Sequence, residues 1–195
     1  MRKSLFLSFT ILIIAITGQS QTRQPNNLLP ILQDARWGYI DQTGKLILAP
    51  QFWLAQGFSE GLAAVRFANY NIISEWAYIN SAGEVVIKPQ FTSAEEFSEG
   101  LAAVSVESIT KVGYTDKAGN IVIKPQFEKA FRFSGGIARI FEDGKYGYID
   151  KAGNRITDAM FDDAQDFSNG AARVKIGTRW GYINREGKYI WKPSK

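Results

Sequence analysis

The eight residues FSEGLAAV stand at Phe58–Val65 and recur, unchanged, at Phe97–Val104. Each copy lies inside a longer repeated segment, and aligning the chain on itself gives five such segments. Their starts are 39, 36, 34 and 34 residues apart, at Trp37, Trp76, Val112, Tyr146 and Trp180. A period of this length is typical of solenoids and propellers, in which each repeat is one small unit of secondary structure.

The spacing inside the repeats separates a constant part from a variable part. In the first four copies, the opening residue and the Phe of the FSEG-like motif are always 21 residues apart. The distance from that Phe to the next opening residue varies, at 18, 15, 13 and 13 residues. Because loops tolerate changes of length and packed elements do not, we expect a rigid first part and a variable loop after it.

Each repeat opens with two predicted strands joined by a tight turn. The alternation in WGYI from Trp37 has the period of a β-strand, here called strand A. The turn Asp41-Gln-Thr-Gly44 suits a hairpin, because the Asp oxygen accepts backbone N–H groups and Gly adopts positive φ. Strand B follows, and a proline is predicted to end it in four of the five repeats. Strand B carries Ile47, Val86, Val122, Ile156 and Ile190 at one position, and the prolines are Pro50, Pro89, Pro125 and Pro193.

The rest of each repeat is predicted to be a linker, a glycine hinge and a third strand, C. Phe91, Ala94 and Phe97 are three residues apart, a spacing that favours one helical or 3₁₀ turn. The hinge glycines are Gly61, Gly100, Gly136 and Gly170. Strand C runs through a short turn into the next strand A, so the predicted strand order is C–A–B. Residues 28–37 align with residues 171–180 and supply the first strand C.

These features predict an all-β fold, a tandem repeat of five three-stranded antiparallel β-meander units. We expect an open array, and a five-bladed β-propeller is the alternative. The predicted domain spans residues 28–195, and residues 21–27 form a polar lead-in.

Residues 1–20 have the order of a secretory signal peptide. Arg2 and Lys3 precede an apolar run, Leu5–Ile16, which is too short for a membrane span and is followed by small and polar residues. An uncleaved N-terminal anchor is the alternative. We expect cleavage, a periplasmic or extracellular location, and no membrane span in the mature chain.

The composition narrows the classes of function. Removing Arg2 and Lys3 lowers the formal net charge from +4 to +2, far from the dense basic surface that nucleic acid requires. The chain has no Cys and no His, so it lacks disulfides and the commonest general base and transition-metal ligand. We therefore expect no nucleic-acid partner, no metal and no cofactor.

The repeats resemble the WG repeat, a tandem module of bacterial proteins. The shared landmarks are YID, AG, KPQF and FSEG, and the resemblance extends from Trp37 to the C-terminus. Val112 and Tyr146 depart from the leading Trp, Ala77 departs from the Gly, and TDAMF at Thr157–Phe161 is a degraded form of KPQF. The resemblance implies a non-catalytic repeat scaffold and provides no catalytic residue.

Several aromatic residues are candidates for ligand contact. The leading aromatics, such as Trp37, would suit sugar stacking, although core packing explains them better because Val112 replaces one of them. Trp53 stands where other repeats have Thr92, Glu128 and Asp162, so we expect it to be exposed. The long loop between the first C and A strands adds four apolar candidates. These are Phe67, Tyr70, Ile72 and Ile73.

Charged residues give weaker signals. Asp158, Asp162, Asp163 and Asp166 crowd the fourth repeat and would suit calcium or a glycosidase acid and base, but a solvated acidic face explains them better. Lys88, Lys124 and Lys192 are expected along an exposed strand edge.

Taken together, these features predict a secreted or periplasmic, non-catalytic scaffold that binds a protein or a cell-envelope glycan. A carbohydrate-active enzyme and a purely structural surface protein are the alternatives.

Overall fold

A computed structural model of the chain describes residues 28–67 and 75–192. The predicted signal peptide and the polar lead-in lie outside the described residues. Within the two described ranges, the chain forms β-strands and no helix. The strands are β1 Leu29–Gln33, β2 Arg36–Ile40, β3 Leu46–Ala55, β4 Leu62–Phe67, β5 Trp76–Asn80, β6 Val85–Phe91, β7 Ser93–Ala94, β8 Leu101–Ser105, β9 Val112–Asp116, β10 Ile121–Phe127, β11 Lys129–Ser134, β12 Ile137–Glu142, β13 Lys145–Asp150, β14 Arg155–Phe161, β15 Asp163–Ala164, β16 Ala171–Ile176, β17 Arg179–Asn184 and β18 Tyr189–Trp191.

The strands form four antiparallel sheets. One has six strands in the order β1-β2-β3-β4-β5-β6, and the others have four, in the orders β10-β9-β8-β7, β11-β12-β13-β14 and β15-β16-β17-β18. The prediction of an all-β, antiparallel repeat is confirmed. Strand β1 pairs with β2, so the predicted first strand C is also confirmed.

The predicted three-stranded unit is wrong, because a fourth strand joins it. The residues after strand B pair with the free edge of strand C, as in β7 against β8, where Ala94 faces Val104. The predicted helical linker is therefore also wrong. Its backbone N–H groups bond to strand C instead, from Thr92 to the Ser105 carbonyl at 2.8 Å and from Glu95 to the Ala103 carbonyl at 3.0 Å. A bend at Thr92 breaks the alternation, so Phe91 and Ala94 are both buried although they are three residues apart.

Pro50, Pro89 and Pro125 lie inside strand B and do not end it, which corrects a second prediction. Pro193 lies outside the described residues. Pro125 lies inside β10, at a bulge. The bulge lies between the paired residues Ile123–Tyr114 and Phe127–Val112, so strand B advances by four residues while strand A advances by two. The bulge passes directly over Gly113, where a Cβ atom would lie 2.2 Å from the Ile123 carbonyl oxygen. Because pairing is interrupted there, the missing N–H of proline removes no ladder bond.

The FSEG-like motif forms a two-residue turn. Ser98 and Leu101 exchange two backbone hydrogen bonds, and the residues between them, Glu99 and Gly100, have φ of 54° and 87°. Positive φ at both central residues is the type I′ pattern that matches the twist of a hairpin. The repeated SEG therefore specifies a hairpin between the fourth strand and strand C.

The turn between strands A and B is confirmed. The Asp116 Oδ1 atom accepts hydrogen bonds from the N–H groups of Ala118 and Asn120, both at 2.9 Å, and Gly119 has φ of 87°. This turn also packs on the preceding repeat, because a Cβ atom at Gly119 would lie 2.9 Å from Cγ2 of Ile87. The AG of the repeat therefore serves both the turn and the junction between repeats.

Consecutive repeats are also joined by hydrogen bonds. The Ser98 hydroxyl donates to the carbonyl of Phe133 in the next repeat at 2.7 Å, and Ser59 donates to Phe97 in the same way at 2.6 Å. In the described part of the chain, no strand pairing connects the first sheet to the last. The hydrogen-bonded array is therefore not closed.

Candidate functional site

A cleft of about 870 Å³ lies along the linkers of successive repeats. Its lining comes mainly from the short fourth strands and the residues that follow them, together with the first residues of the FSEG-like turns. The polar, charged and aromatic side chains of this lining include Gln56, Ser93, Glu95, Glu96, Phe131, Arg132 and Asp166. The cleft is thus a product of the repeat, because each repeat adds one linker to its wall.

A buried tyrosine fixes the backbone of each linker at this wall. The hydroxyls of Tyr39, Tyr78, Tyr114 and Tyr148 each donate to a carbonyl 17 residues later in the chain, at 2.6 to 2.8 Å. The acceptor of Tyr78 is Glu95, and that of Tyr114 is Phe131, so both acceptors line the cleft. Burial raises the pKa of Tyr78, and the charge of Glu95 raises it further, so the hydroxyl keeps its proton.

Two adjacent carboxylates of the cleft have no described partner. Glu95 and Glu96 make no side-chain hydrogen bond or ion pair with the described residues. Burial, and then the charge of Glu96, raise the pKa of Glu95 above its ordinary value. Two acidic groups are therefore available to a ligand at one point of the wall.

The other carboxylates of the cleft are engaged. Asp166 forms an ion pair with Arg139 at 3.3 Å and a longer one with Arg132 at 3.9 Å. The Glu128 carboxylate accepts the N–H of Asp143 at 3.1 Å. The free acceptors are therefore concentrated at Glu95 and Glu96.

Gln56 adds an uncharged acceptor at the same wall. Its Nε2 atom donates to the carbonyl of Ala94 at 2.9 Å, which anchors the amide against the next repeat. Its Oε1 atom is buried and has no partner among the described residues.

The arrangement of polar groups in the cleft suits the binding of a ligand. The sequence has no His or Cys, and no group of three metal-binding side chains occurs in the described ranges. Carboxylates, an amide and hydroxyls beside the Phe131 ring are the groups that recognise a polyhydroxyl ligand. No helix of the described residues has the length and apolarity needed to cross a membrane.

The two predicted site residues that the structure describes, Trp53 and Phe67, do not line this cleft. Trp53 is 56% exposed, as predicted, and Arg36 lies 5.5 Å above its ring. Phe67 is partly buried, with its ring 5.6 Å from that of Phe52 in the core. Tyr70, Ile72 and Ile73 lie outside the described residues. None of the described candidates lines the cleft.

The other sequence candidates have structural roles. Trp37, Trp76 and Tyr146 pack partly buried against the core clusters, and Val112 occupies the same place, which confirms the packing interpretation for these repeats. Trp180 of the last repeat packs against no core cluster of the described residues and carries Arg173 4.2 Å over its ring. Asp162 pairs with Lys145 and accepts the Gly177 N–H, which leaves Asp166 as the aspartate of that group that lines the cleft. Lys88 and Lys124 lie exposed on the edge strands β6 and β10, as expected.

One signal in the sequence would have located the cleft. The two residues before the Phe of each FSEG-like motif differ between repeats, although they lie inside the segment of constant length. They are Gln56 and Gly57, Glu95 and Glu96, Phe131 and Arg132, and Gln165 and Asp166. Variable polar residues inside a rigid segment indicate a surface that packing does not constrain.

The fold and the cleft define a class of protein, a tandem antiparallel β-repeat with a polar cleft along its linkers. The family model for the WG containing repeat matches residues 37–70, 76–108, 113–146 and 146–177. The chain therefore belongs to the WG repeat family. No curated protein matches it.

Two solved structures are similar over most of the chain. A crystal structure of a protein of unknown function from Bacteroides caccae has 14% identity and a TM-score of 0.38, and covers 85% of this chain and 77% of that one. A virginiamycin B lyase from Staphylococcus aureus has 14% identity and a TM-score of 0.46, and covers 88% of this chain and 71% of that one.

Proposed function

We propose that this chain is a non-catalytic scaffold that binds a cell-envelope glycan in the cleft along the linkers. The observation that carries the proposal is the cleft of about 870 Å³ with two unpartnered carboxylates, Glu95 and Glu96, at its wall. Sugar hydroxyls donate well to carboxylates. Phe131 lines the same cleft, although the Arg139 guanidinium lies 4.0 Å from the centre of its ring. The size of the cleft falls in the range of small-ligand sites.

A protein partner at Trp53 is the second candidate. An indole that is 56% exposed on a folded sheet is a typical anchor of a protein interface. The cleft and Trp53 are separate surfaces, so substitutions in the cleft and a substitution of Trp53 test the two candidates independently.

We also propose the location and the arrangement that the sequence predicts. The signal-like residues 1–20 support export to the periplasm or the cell exterior, and an open array of five repeats is supported by the unconnected first and last sheets. A carbohydrate-active enzyme and a purely structural surface protein are the alternatives to a binding scaffold.

The test of the glycan proposal is a binding screen of the purified protein on immobilised N-acetylhexosamine and hexose oligosaccharides. We expect at least one class to bind, and Glu95→Gln with Glu96→Gln to weaken that binding roughly tenfold through the lost charge-assisted hydrogen bonds. Glu107→Gln, an exposed carboxylate outside the cleft, is the control. Binding that the double variant leaves unchanged, or no binding to any sugar, would reject the cleft as a glycan site.

A further inference from the structure

A carboxylate clasp joins the first repeat to the second and the third. The Glu60 Oε2 atom accepts the backbone N–H of Gly100 at 3.0 Å and forms an ion pair with Lys117 Nζ at 3.0 Å. Lys117 also donates to the carbonyl oxygen of Glu60 at 2.9 Å. The clasp thus consists of a carboxylate from one FSEG-like turn, an N–H from the next such turn, and a cation from the turn between strands A and B.

The same clasp occurs one repeat further along. Glu99 Oε2 accepts the N–H of Gly136 at 2.9 Å and pairs with Lys151 Nζ at 3.1 Å. Lys151 donates to the Glu99 carbonyl at 2.9 Å. Two junctions therefore place one carboxylate between an N–H and a cation in the same geometry.

The following junction keeps the N–H and the cation but lacks the carboxylate. Gly135 stands in place of the glutamate, Gly170 supplies the N–H, and Arg185 stands in place of the lysine. The Arg185 guanidinium lies over the FSGG turn, where a Cβ atom at Gly135 would be 3.5 Å from Nη1 and one at Gly136 would be 3.4 Å from Nη2. Arg185 and the Gly170 N–H make no hydrogen bond or ion pair with the described residues.

We infer that this junction binds the carboxylate of an external ligand, held by the Gly170 N–H and the Arg185 guanidinium. The guanidinium fork matches a carboxylate in two parallel hydrogen bonds, which a lysine cannot supply. The equivalent groups of the two preceding junctions each hold a carboxylate, so the partners are already arranged for one. Gly135, Gly170 and Arg185 do not line the cleft, so the inference is independent of the proposed function.

The carboxylate belongs to an acidic peptide side chain or to a small soluble acid, and the two sources are distinguished by titration. The ¹⁵N-labelled protein is titrated with a hexaglutamate peptide and, separately, with acetate, at pH 7 and constant ionic strength set with chloride. We expect a saturable shift of the Gly170 amide resonance toward the positions of Gly100 and Gly136, which already carry a carboxylate. A response to the peptide alone identifies a polypeptide ligand, and a response to both identifies any carboxylate. A Gly170 resonance that does not move, or that moves equally with chloride, overturns the inference.

A variant that supplies the missing carboxylate is the matched control. Gly135 has φ of 60°, close to the 52° of Glu60 and the 54° of Glu99, so Gly135→Glu fits the turn. We expect its Gly170 amide to resonate at the bound position without ligand and to stop responding. A Gly135→Glu protein that still responds like the wild type overturns the inference.

Two further variants test the site if Gly135→Glu is poorly folded. Arg185→Ala removes the cation, and we expect it to weaken the response of Gly170 roughly fivefold. Glu99→Ala removes the carboxylate of the second clasp, so we expect the Gly136 amide resonance to shift on titration, which it does not do in the wild type. An unchanged Gly170 response in Arg185→Ala, or an unresponsive Gly136 in Glu99→Ala, counts against the inference.

Discussion

The hydroxyl of Tyr78 lies 2.6 Å from the carbonyl oxygen of Glu95 and donates its proton to it. The bond connects Tyr78, a fully buried residue of β5, to the wall of the cleft. The last repeat breaks this pattern, because Tyr182 is 43% exposed and has no such acceptor among the described residues. One residue type at one repeat position is therefore buried and bonded in four repeats and exposed in the fifth.

The first prediction uses this contrast. We expect Tyr78→Phe to lower the free energy of unfolding by about 1–2 kcal/mol, because it leaves the Glu95 carbonyl without its donor. Tyr182→Phe, the matched control, should change stability by less than about 0.5 kcal/mol. Urea unfolding measures both, and equal losses would contradict the role assigned to the bond.

The serine bonds between repeats give the second prediction. We expect Ser98→Ala to cost about 0.5–1.5 kcal/mol, because the Phe133 carbonyl loses its hydroxyl donor at 2.7 Å. Ser168 is the equivalent serine of the last FSEG-like turn and is exposed, so Ser168→Ala should cost less. Thermal unfolding of the two variants compares them, and a larger loss in Ser168→Ala would be inconsistent with the proposed junction.

The third prediction concerns the stability of the fold at low pH. Burial raises the pKa of Glu60, but hydrogen bonds from Lys117 and the Gly100 N–H outweigh it, so the pKa lies below its ordinary value of 4.5. Burial and the bonds from Lys151 and the Gly136 N–H act on Glu99 in the same way. A carboxyl with a lowered folded-state pKa stabilises the fold above the unfolded pKa, and this stabilisation is lost as the pH falls through the folded pKa.

The measurement is the urea midpoint between about pH 7 and pH 3. We expect the wild type to lose stability below about pH 4.5 more steeply than Glu60→Gln with Glu99→Gln, which has no carboxylate to protonate at either clasp. Parallel curves for the two proteins would exclude a contribution of the clasps to acid stability.

The sequence predicts the strands and turns well because both are local properties. Alternation and the Asx residue Asp116 before Gly119 each specify a conformation within a few residues, and the structure confirms both. The SEG at Ser98–Gly100 was predicted only as a glycine hinge, and the structure shows a hairpin turn there. The linker and the prolines were predicted wrongly because their partners are distant. The linker pairs with strand C because the Thr92 N–H bonds to the distant Ser105 carbonyl, and Pro125 stays within a strand because Gly113 lies opposite.

The site was harder to predict than the fold. Trp53 was identified from its exposure, which a comparison of repeats reveals. The cleft required knowing that the linkers of different repeats lie side by side, whereas each tyrosine bond fixes only the linker of its own repeat, 17 residues later in the chain. Periodicity predicts each linker separately and does not give the surface that they form together.

The fourth prediction tests the bulge over the WG glycine. We expect Gly113→Ala to cost about 1–3 kcal/mol, because its Cβ would meet backbone of β10 at 2.2 Å and the strand must shift. The cost stays moderate because Ala77 occupies the equivalent position in the second repeat and is buried there. Gly57→Ala is the control, since its Cβ would meet only the flexible Glu96 carboxylate at 3.0 Å. Similar unfolding midpoints for the two variants would contradict the account of the bulge.

The fifth prediction separates Trp53 from the leading tryptophans. Trp76 packs against the core with Arg66 stacked 5.0 Å above its ring, so Trp76→Ala should cost about 3–5 kcal/mol. Trp53→Ala should cost under about 1 kcal/mol, because the ring is mostly exposed and its contact with Arg36 is a surface cation–π pair. Calorimetric melting measures both variants.

A folded Trp53→Ala protein that no longer retains an envelope protein on an affinity column, while its binding to oligosaccharides is unchanged, would assign Trp53 to a protein interface. Unchanged retention of the same protein would remove Trp53 from that interface and leave the cleft as the candidate surface.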